Sequence, residues 1–177
     1  MDLAEKTLES KLVYEGRIVT LQMDKVTLPN GKEARREVVK HPGGVAVLPL
    51  RENREVVMVR QYRYPFGSVT LEVPAGKLEC GENPRECALR ELEEEVGLVP
   101  DELTEMGMLY LSPGFCDEVL HLYLARGLRQ VPRHPDEDEF LEVCSIPLDT
   151  LSEQVMKGEI KDAKTVTAVL KTKMLLG

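Results

Sequence analysis

Residues 76–98 read GKLECGENPRECALRELEEEVGL, and most of what can be said of the chain follows from this stretch. Asn83 can cap a helix, Pro84 suits a first turn that needs no amide donor, and Glu86 completes a capping-box arrangement. Ala88, Leu92 and Val96 recur at i, i+4 and i+8 and give one apolar stripe. Gly97 can take the left-handed conformation that closes a helix. The spacing therefore predicts a helix from near Asn83 to Val96. Glu91, Glu93, Glu94 and Glu95 put four carboxylates within five residues of it. Glu91 and Glu95 share a face with Glu94 beside them, and like charges so spaced cost about 0.2–0.5 kcal/mol per pair. They also lie toward the C-terminal end, where the helix dipole disfavours negative charge. Helix propensity explains such a run badly. Divalent cations explain it well, because Mg2+ or Mn2+ seeks hard oxygen ligands.

Working outward, the flanking segments read as strands. Lys11 to Leu28 and Lys32 to Lys40 are rich in β-branched and alternating residues, and Pro29-Asn30-Gly31 between them carries hairpin chemistry. Gly44 to Leu50 and Glu55 to Arg63 predict two further strands around a turn at Arg51–Arg54. In the second, Val56, Met58, Arg60 and Tyr62 alternate with Val57, Val59 and Gln61. Strands are expected again at Leu103–Leu111, Glu118–Ala125 and Glu139–Ile146. Two helices close the chain: Pro147–Lys157, stopped by Gly158, and Asp162–Leu176, with Val166, Val169, Leu170 and Met174 on one face. This order argues an α+β fold or α/β/α sandwich rather than a doubly wound parallel sheet.

The chain has 177 residues, enough for one domain with a real core. Its 23 basic and 31 acidic residues leave a net charge of −8, which repels nucleic acid and anionic membrane alike. An anionic substrate would then need a cation to mediate. No apolar run is long enough to span a bilayer, and Met1–Lys6 resembles no secretory signal, so a cytoplasmic address is expected. Cys80, Cys87, Cys116 and Cys144 lack paired spacing and read as buried or inert thiols. His41, His121 and His134 suggest no shared site.

An acidic helical run alone is usually a solvated face; the fixed residues around it decide otherwise. Gly76, Glu82, Arg90, Glu91, Leu92, Glu94, Glu95, Gly97 and Leu98 match the nine specified positions of the Nudix box. The chain thus resembles the Nudix hydrolases, which split nucleoside diphosphates linked to another moiety. Further segments are similar to the bacterial ADP-ribose pyrophosphatases: Leu28–Gly31, Arg36–Gly43, Val59–Arg63, Val73–Gly76, Ser112–Phe115 and Pro135–Glu139. Pro113, 16 residues after Gly97, matches that subfamily too.

The resemblance implies a Nudix-type α/β/α sandwich with a mixed β-sheet and an N-terminal hairpin region. It implies a single hydrolase domain over 1–177, with 1–42 serving a homodimer and 43–177 the catalytic core. Glu91, Glu95 and the Ala75 carbonyl would be metal ligands for two or three Mg2+, or Mn2+, ions. Glu82 and Glu94 would complete or tune the acidic site, and Arg90 would hold the carboxylates. Of the acidic loop Asp136–Glu139, Glu137 would act as general base and Glu139 as a further ligand. Arg63 would contact the diphosphate and Glu118 the ribose. Arg17, Ile18, Arg35 and Glu37 lie where the family's dimer mate meets adenine. With no Trp, stacking falls to Tyr14, Tyr62 or an aliphatic-arginine sandwich. The implied reaction is Mg2+-dependent hydrolysis of ADP-ribose to AMP and ribose 5-phosphate. The alternatives are another ADP- or GDP-hexose as substrate, or a nucleotide sensor that binds without cleaving.

Overall fold

The computed structural model describes residues 2–135 and 139–177. Glu137, expected as a base, lies outside the described residues. The chain divides into two compact units, Met1–Gly43 with Tyr110–Val119, and Gly44–Leu109 with Leu120–Gly177.

In the first unit, β1 (Lys6–Glu15), β2 (Thr20–Thr27) and β3 (Glu33–Lys40) form an antiparallel sheet in that order. The predicted Lys11–Leu28 segment is thus broken at Gly16–Val19, where Gly16 N–H bonds the Val19 carbonyl at 2.9 Å. The expected hairpin joins β2 to β3, and Gly31 takes its positive φ of 80°. Asn30 Oδ1 accepts the Lys32 amide at 3.0 Å, so the Asn fixes the turn with its side chain. Every residue of β1 is exposed, including Leu8, Leu12, Val13 and Tyr14. The 110–119 segment docks on β3: Val39 N–H donates to the Phe115 carbonyl at 2.7 Å, and Asp117 N–H to Val39 at 3.1 Å.

The second unit holds two sheets. One has the order β7 (Ala75–Lys77), β4 (Gly44–Pro49), β9 (Val119–Gln130), β8 (Leu98–Tyr110). It is mixed, with β4 antiparallel to β7 and parallel to β9. The other is antiparallel in the order β10 (Glu142–Pro147), β5 (Glu55–Arg63), β6 (Ser68–Glu72). The turn at Arg51–Arg54 therefore passes between sheets; an isolated Leu50–Val56 bridge spans it, and Arg51 N–H donates to the Glu55 carbonyl at 2.8 Å. Strands β6 and β7 are too short to show a period in the sequence.

Helix α1 (Pro84–Val96) lies where predicted. Asn83 Oδ1 accepts the Arg85 amide at 2.9 Å. Among the described residues no bond returns from Glu86, so the cap is Asn83 alone and the expected box is not closed. Gly97 ends the helix at φ 65° and ψ 43°. Ala88, Leu92 and Val96 pack with Val45, Val47, Val57, Val59 and Tyr123 in one buried cluster. Burying a side chain such as Leu92 contributes about 1.5–3 kcal/mol. Strand β4 is buried along its whole length and touches both α1 and α3 (Ala163–Leu176).

Helix α2 (Leu148–Met156) ends beside Gly158 as expected. Helix α3 is rotated from its predicted face. Thr165, Ala168, Val169 and Thr172 are buried, while Met174 is 85% exposed. Of the predicted face Val169 is buried and Val166 and Leu170 are half-buried, while the small residues Thr165, Ala168 and Thr172, which hydrophobicity does not mark, complete the buried side. The thiols are all free: Cys87 is buried, Cys116 and Cys144 are half-buried, and Cys80 is exposed.

Candidate metal and phosphate site

The acidic face of α1 meets the backbone of β7. Glu91 and Glu95 are 8% and 1% exposed, so both carboxylates are withdrawn from water although the helix surface beside them is not. Ala75 N–H donates to Glu95 Oε2 at 3.1 Å. Gly76 lies against Glu91 so closely that a β-carbon there would stand 1.8 Å from Glu91 Cδ. With glycine at this position the Glu91 carboxylate can lie on the strand backbone, and any larger residue would displace it.

Arg90 is the hub of the remaining acids. Its Nε donates to Glu82 Oε1 at 2.9 Å, its Nη1 to Glu91 Oε1 at 2.8 Å and Glu94 Oε2 at 2.9 Å, and its Nη2 to Glu82 Oε2 at 3.1 Å. Arg90 thus pairs with Glu94 one turn on and gathers the other carboxylates as expected. Glu82 also accepts the Glu79 amide at 2.9 Å. The Arg90 guanidinium beside it is the main reason its carboxyl is held down at about 2.

Glu91 and Glu95 behave in the opposite way. Burial pushes Glu91 up to about 7 and Glu95 to about 8, and the charge of Glu139 adds to both. Glu139 is itself exposed, yet near enough to act on both helix acids. Among the described residues, no three His, Cys, Asp or Glu side chains already converge as a metal cage. Glu82, Glu91 and Glu94 converge on Arg90 instead. Buried carboxylates that resist ionisation, set on a glycine cradle, nonetheless suit a hard divalent cation, whose charge would reverse that resistance.

Arg63 ends β5, and its charge also acts on Glu95. Its Nε and Nη2 are bonded in parallel to Glu72 Oε1 and Oε2, at 2.8 and 2.7 Å. The Glu72 side chain is buried, and Lys164 of α3 donates to the same carboxylate. Neither Glu72 nor Lys164 was singled out from sequence. A strand glutamate inside the apolar run Val69–Val73 was the one signal available.

The other expected substrate residues belong to the first unit. Arg17 and Ile18 sit exposed in the β1–β2 turn, and Arg35 and Glu37 alternate on the exposed side of β3. Glu118 lies beside His41, with Oε1 3.7 Å from Nδ1.

These features place the chain among known proteins. It belongs to the Nudix family: the NUDIX domain model matches residues 40–169, and the nucleoside diphosphate sugar hydrolase N-terminal domain model matches residues 5–39. It is 45% identical over 169 residues to the ADP-ribose pyrophosphatase of Bacillus subtilis (strain 168), covering 94% of this chain and 91% of that protein. It is 46% identical over 167 residues to the methanol dehydrogenase activator of Bacillus methanolicus, covering 93% and 90%. A solved structure titled "Crystal structure of ADP compounds hydrolase" superposes with a TM-score of 0.87 at 23% identity, over 99% of this chain and 96% of that one. At that identity the match shows the shared fold.

Proposed function

We propose that this Nudix hydrolase cleaves the diphosphate of ADP-ribose to AMP and ribose 5-phosphate. The observation that carries the reading is the pair of buried carboxylates, Glu91 and Glu95, presented by α1 to the backbone of Ala75 and Gly76. The likeness to an ADP-ribose pyrophosphatase over most of both chains supports the substrate.

In this reading Glu91, Glu95, Glu139 and the Ala75 carbonyl hold Mg2+, with Mn2+ as substitute and two or three ions per site, and Glu82 completes the set. When bound, such ions neutralise the diphosphate and lower the pKa of water. The protein's own groups do the rest. Arg63 presents its guanidinium to the diphosphate, a task for which a planar fork of donors is suited. Arg90 keeps Glu82, Glu91 and Glu94 in fixed orientation, and Glu94 tunes the charge of the acidic face. Glu137 takes the proton from the water that attacks phosphorus, and the bridging P–O bond breaks. Glu118 contacts the ribose. Arg17, Ile18, Arg35 and Glu37 receive the base from a partner subunit in a homodimer. The exposed apolar residues of β1 and the separate N-terminal family match favour an assembly role for residues 1–42, with 43–177 as the catalytic core of one hydrolase domain. Among the described residues no helix is long and apolar enough to cross a membrane. We place the enzyme in the cytoplasm, acting on a small nucleotide sugar and not on nucleic acid.

The test is Mg2+-dependent release of AMP from ADP-ribose, beside ADP-glucose and GDP-mannose, for wild type and Glu95→Gln. A preference for ADP-ribose that is lost in the variant is expected. Preferred turnover of another sugar nucleotide, equally lost, would keep the chemistry and discard the substrate. Tight binding without turnover of any of them would favour the sensor reading, against which the intact box glutamates argue.

A further inference from the structure

Arg63 and Glu72 are not cross-strand partners. In the β5–β6 ladder Arg63 stands opposite Ser68, Gln61 opposite Thr70, and Val59 opposite Glu72. The period of two puts Arg63 on the same sheet face as Thr70 and Glu72, so the arginine side chain lies back along its own strand to reach the carboxylate. The Thr70 hydroxyl donates to Glu72 Oε1 as well. The Arg63 side chain is 38% exposed, whereas that of Glu72 is 2% exposed. One end of the pair is locked in the protein and the other is open. The Nη1 edge of Arg63 bonds none of the described residues.

Lys164 joins the N-cap of its own helix to β6. It donates to Glu72 and, at 2.9 Å, to Asp162 Oδ1. Asp162 Oδ2 accepts the Thr165 amide at 3.0 Å and hydroxyl at 2.6 Å, and Thr165 Oγ1 accepts the Val73 amide at 2.9 Å. The first turn of α3 is thereby tied to the end of β6. Arg63 and Lys164 thus stand against two carboxylates, Glu72 and Asp162, with Lys164 shared between them. Lys164 matters when the charge of Arg63 is shared: a diphosphate at the open edge of Arg63 would weaken its compensation of the buried Glu72, and an undercompensated buried carboxylate is costly.

We propose that Glu72 and Lys164 are positioning residues for Arg63, Glu72 fixing the plane of the guanidinium and Lys164 keeping Glu72 compensated while Arg63 binds the substrate's diphosphate. The inference rests on the reading of Arg63 as the diphosphate-binding arginine. A fixed fork loses little side-chain entropy on meeting phosphate, whereas a free arginine would lose much more.

The test is a double-mutant cycle on kcat/KM for ADP-ribose with Mg2+, using R63A, E72Q and the pair. R63A is expected to lower kcat/KM by roughly 100-fold, and E72Q by roughly tenfold and mainly through KM. In the R63A background, E72Q should change kcat/KM less than about twofold. An equal factor in both backgrounds, or a loss confined to kcat with KM unmoved, would make Glu72 a merely structural residue and overturn the inference while leaving Arg63 as the diphosphate ligand. An R63A variant that turns over like wild type would overturn the reading of Arg63 and the inference together. If E72Q does not fold, K164Q is run in the same cycle: a rise in KM that disappears in R63A supports the proposal, and one that persists overturns it.

Discussion

The Glu91 carboxylate occupies the space where a side chain on Gly76 would begin. With only 1.8 Å between Glu91 Cδ and a β-carbon built on Gly76, the two positions are read as one unit. Gly76→Ala forces either the carboxylate or the strand to move. Overpacking of this kind costs about 1–3 kcal/mol. The variant should melt several degrees lower and lose at least about 100-fold in kcat/KM, since the displaced group is an expected metal ligand. Thermal melting of Gly76→Ala/Glu91→Ala separates the two effects. Trimming Glu91 removes the clash, so stability should return while activity does not. A double variant no more stable than Gly76→Ala would place the strain elsewhere.

A second expectation concerns pH. Glu91 and Glu95 are held up at about 7 and about 8 in the folded protein, against about 4.3 for an ordinary glutamate in an unfolded chain. Between these values the metal-free folded state binds more protons than the unfolded state. Its contribution from these groups is full below about pH 4.3 and is lost as pH rises through 7 and 8. A bound divalent cation favours the ionised forms and opposes the loss. The melting temperature in chelator should therefore fall from pH 6 to 9 relative to that in Mg2+, and Glu95→Gln in chelator should be more stable than wild type at pH 8.5. A gap between chelator and Mg2+ that ignores pH would contradict this account.

Glu72 works in the other direction. Burial raises its carboxyl, but Arg63, Lys164 and Thr70 outweigh burial and hold it at about 2. The folded value is depressed, so its contribution is present above about pH 4.3 and is lost as pH falls toward 2. Acid unfolding followed by circular dichroism should begin at higher pH for Lys164→Gln than for wild type. Coincident acid transitions would deny Lys164 that role.

What could be read from the sequence and what could not divide along a physical line. Helix α1 was legible because its signals are local: Asn83 before it, Pro84 at its start, Gly97 after it, and three apolar residues one turn apart. Its box acids Glu91, Glu94 and Glu95 were legible through the box, although Glu91 and Glu95 prove to be buried. The face of α3 was not, because Thr165, Ala168 and Thr172 are buried by close approach and hydrogen bonding, which hydrophobic periodicity does not register. The Glu72–Lys164 contact joins residues 92 apart. Nothing near either residue announces the other. Likewise the sequence marks Gly76 as fixed, but only the fold shows that the Glu91 carboxylate lies against it.

The cap of α3 gives a stability prediction independent of catalysis. Asp162 accepts from the Thr165 amide and hydroxyl and from Lys164. Loss of an N-cap costs about 0.5–2 kcal/mol, and here it also removes one of two anions beside Lys164. Asp162→Ala should cost about 2 kcal/mol or more in urea unfolding. Asp162→Asn, which keeps the cap but not the charge, should cost less. Equal losses would mean that the charge, not the cap, carries the contribution.

Arg90 tests whether the acidic face is assembled by geometry or by charge alone. Its guanidinium makes four bonds to three carboxylates within 3.1 Å. A lysine supplies the same charge from a single nitrogen and cannot span Glu82, Glu91 and Glu94 together. Arg90→Lys should therefore fold, with helix content unchanged, yet need a higher Mg2+ concentration for half-maximal activity and lose roughly 10–100-fold in kcat/KM. Arg90→Met should lose more and also melt lower, because Glu82 and Glu91 would be left without their cation. The ordering is what matters. If lysine restores wild-type Mg2+ dependence, the three carboxylates need only a neighbouring positive charge, and their orientation must come from α1 and the 76–82 loop without help from the fork.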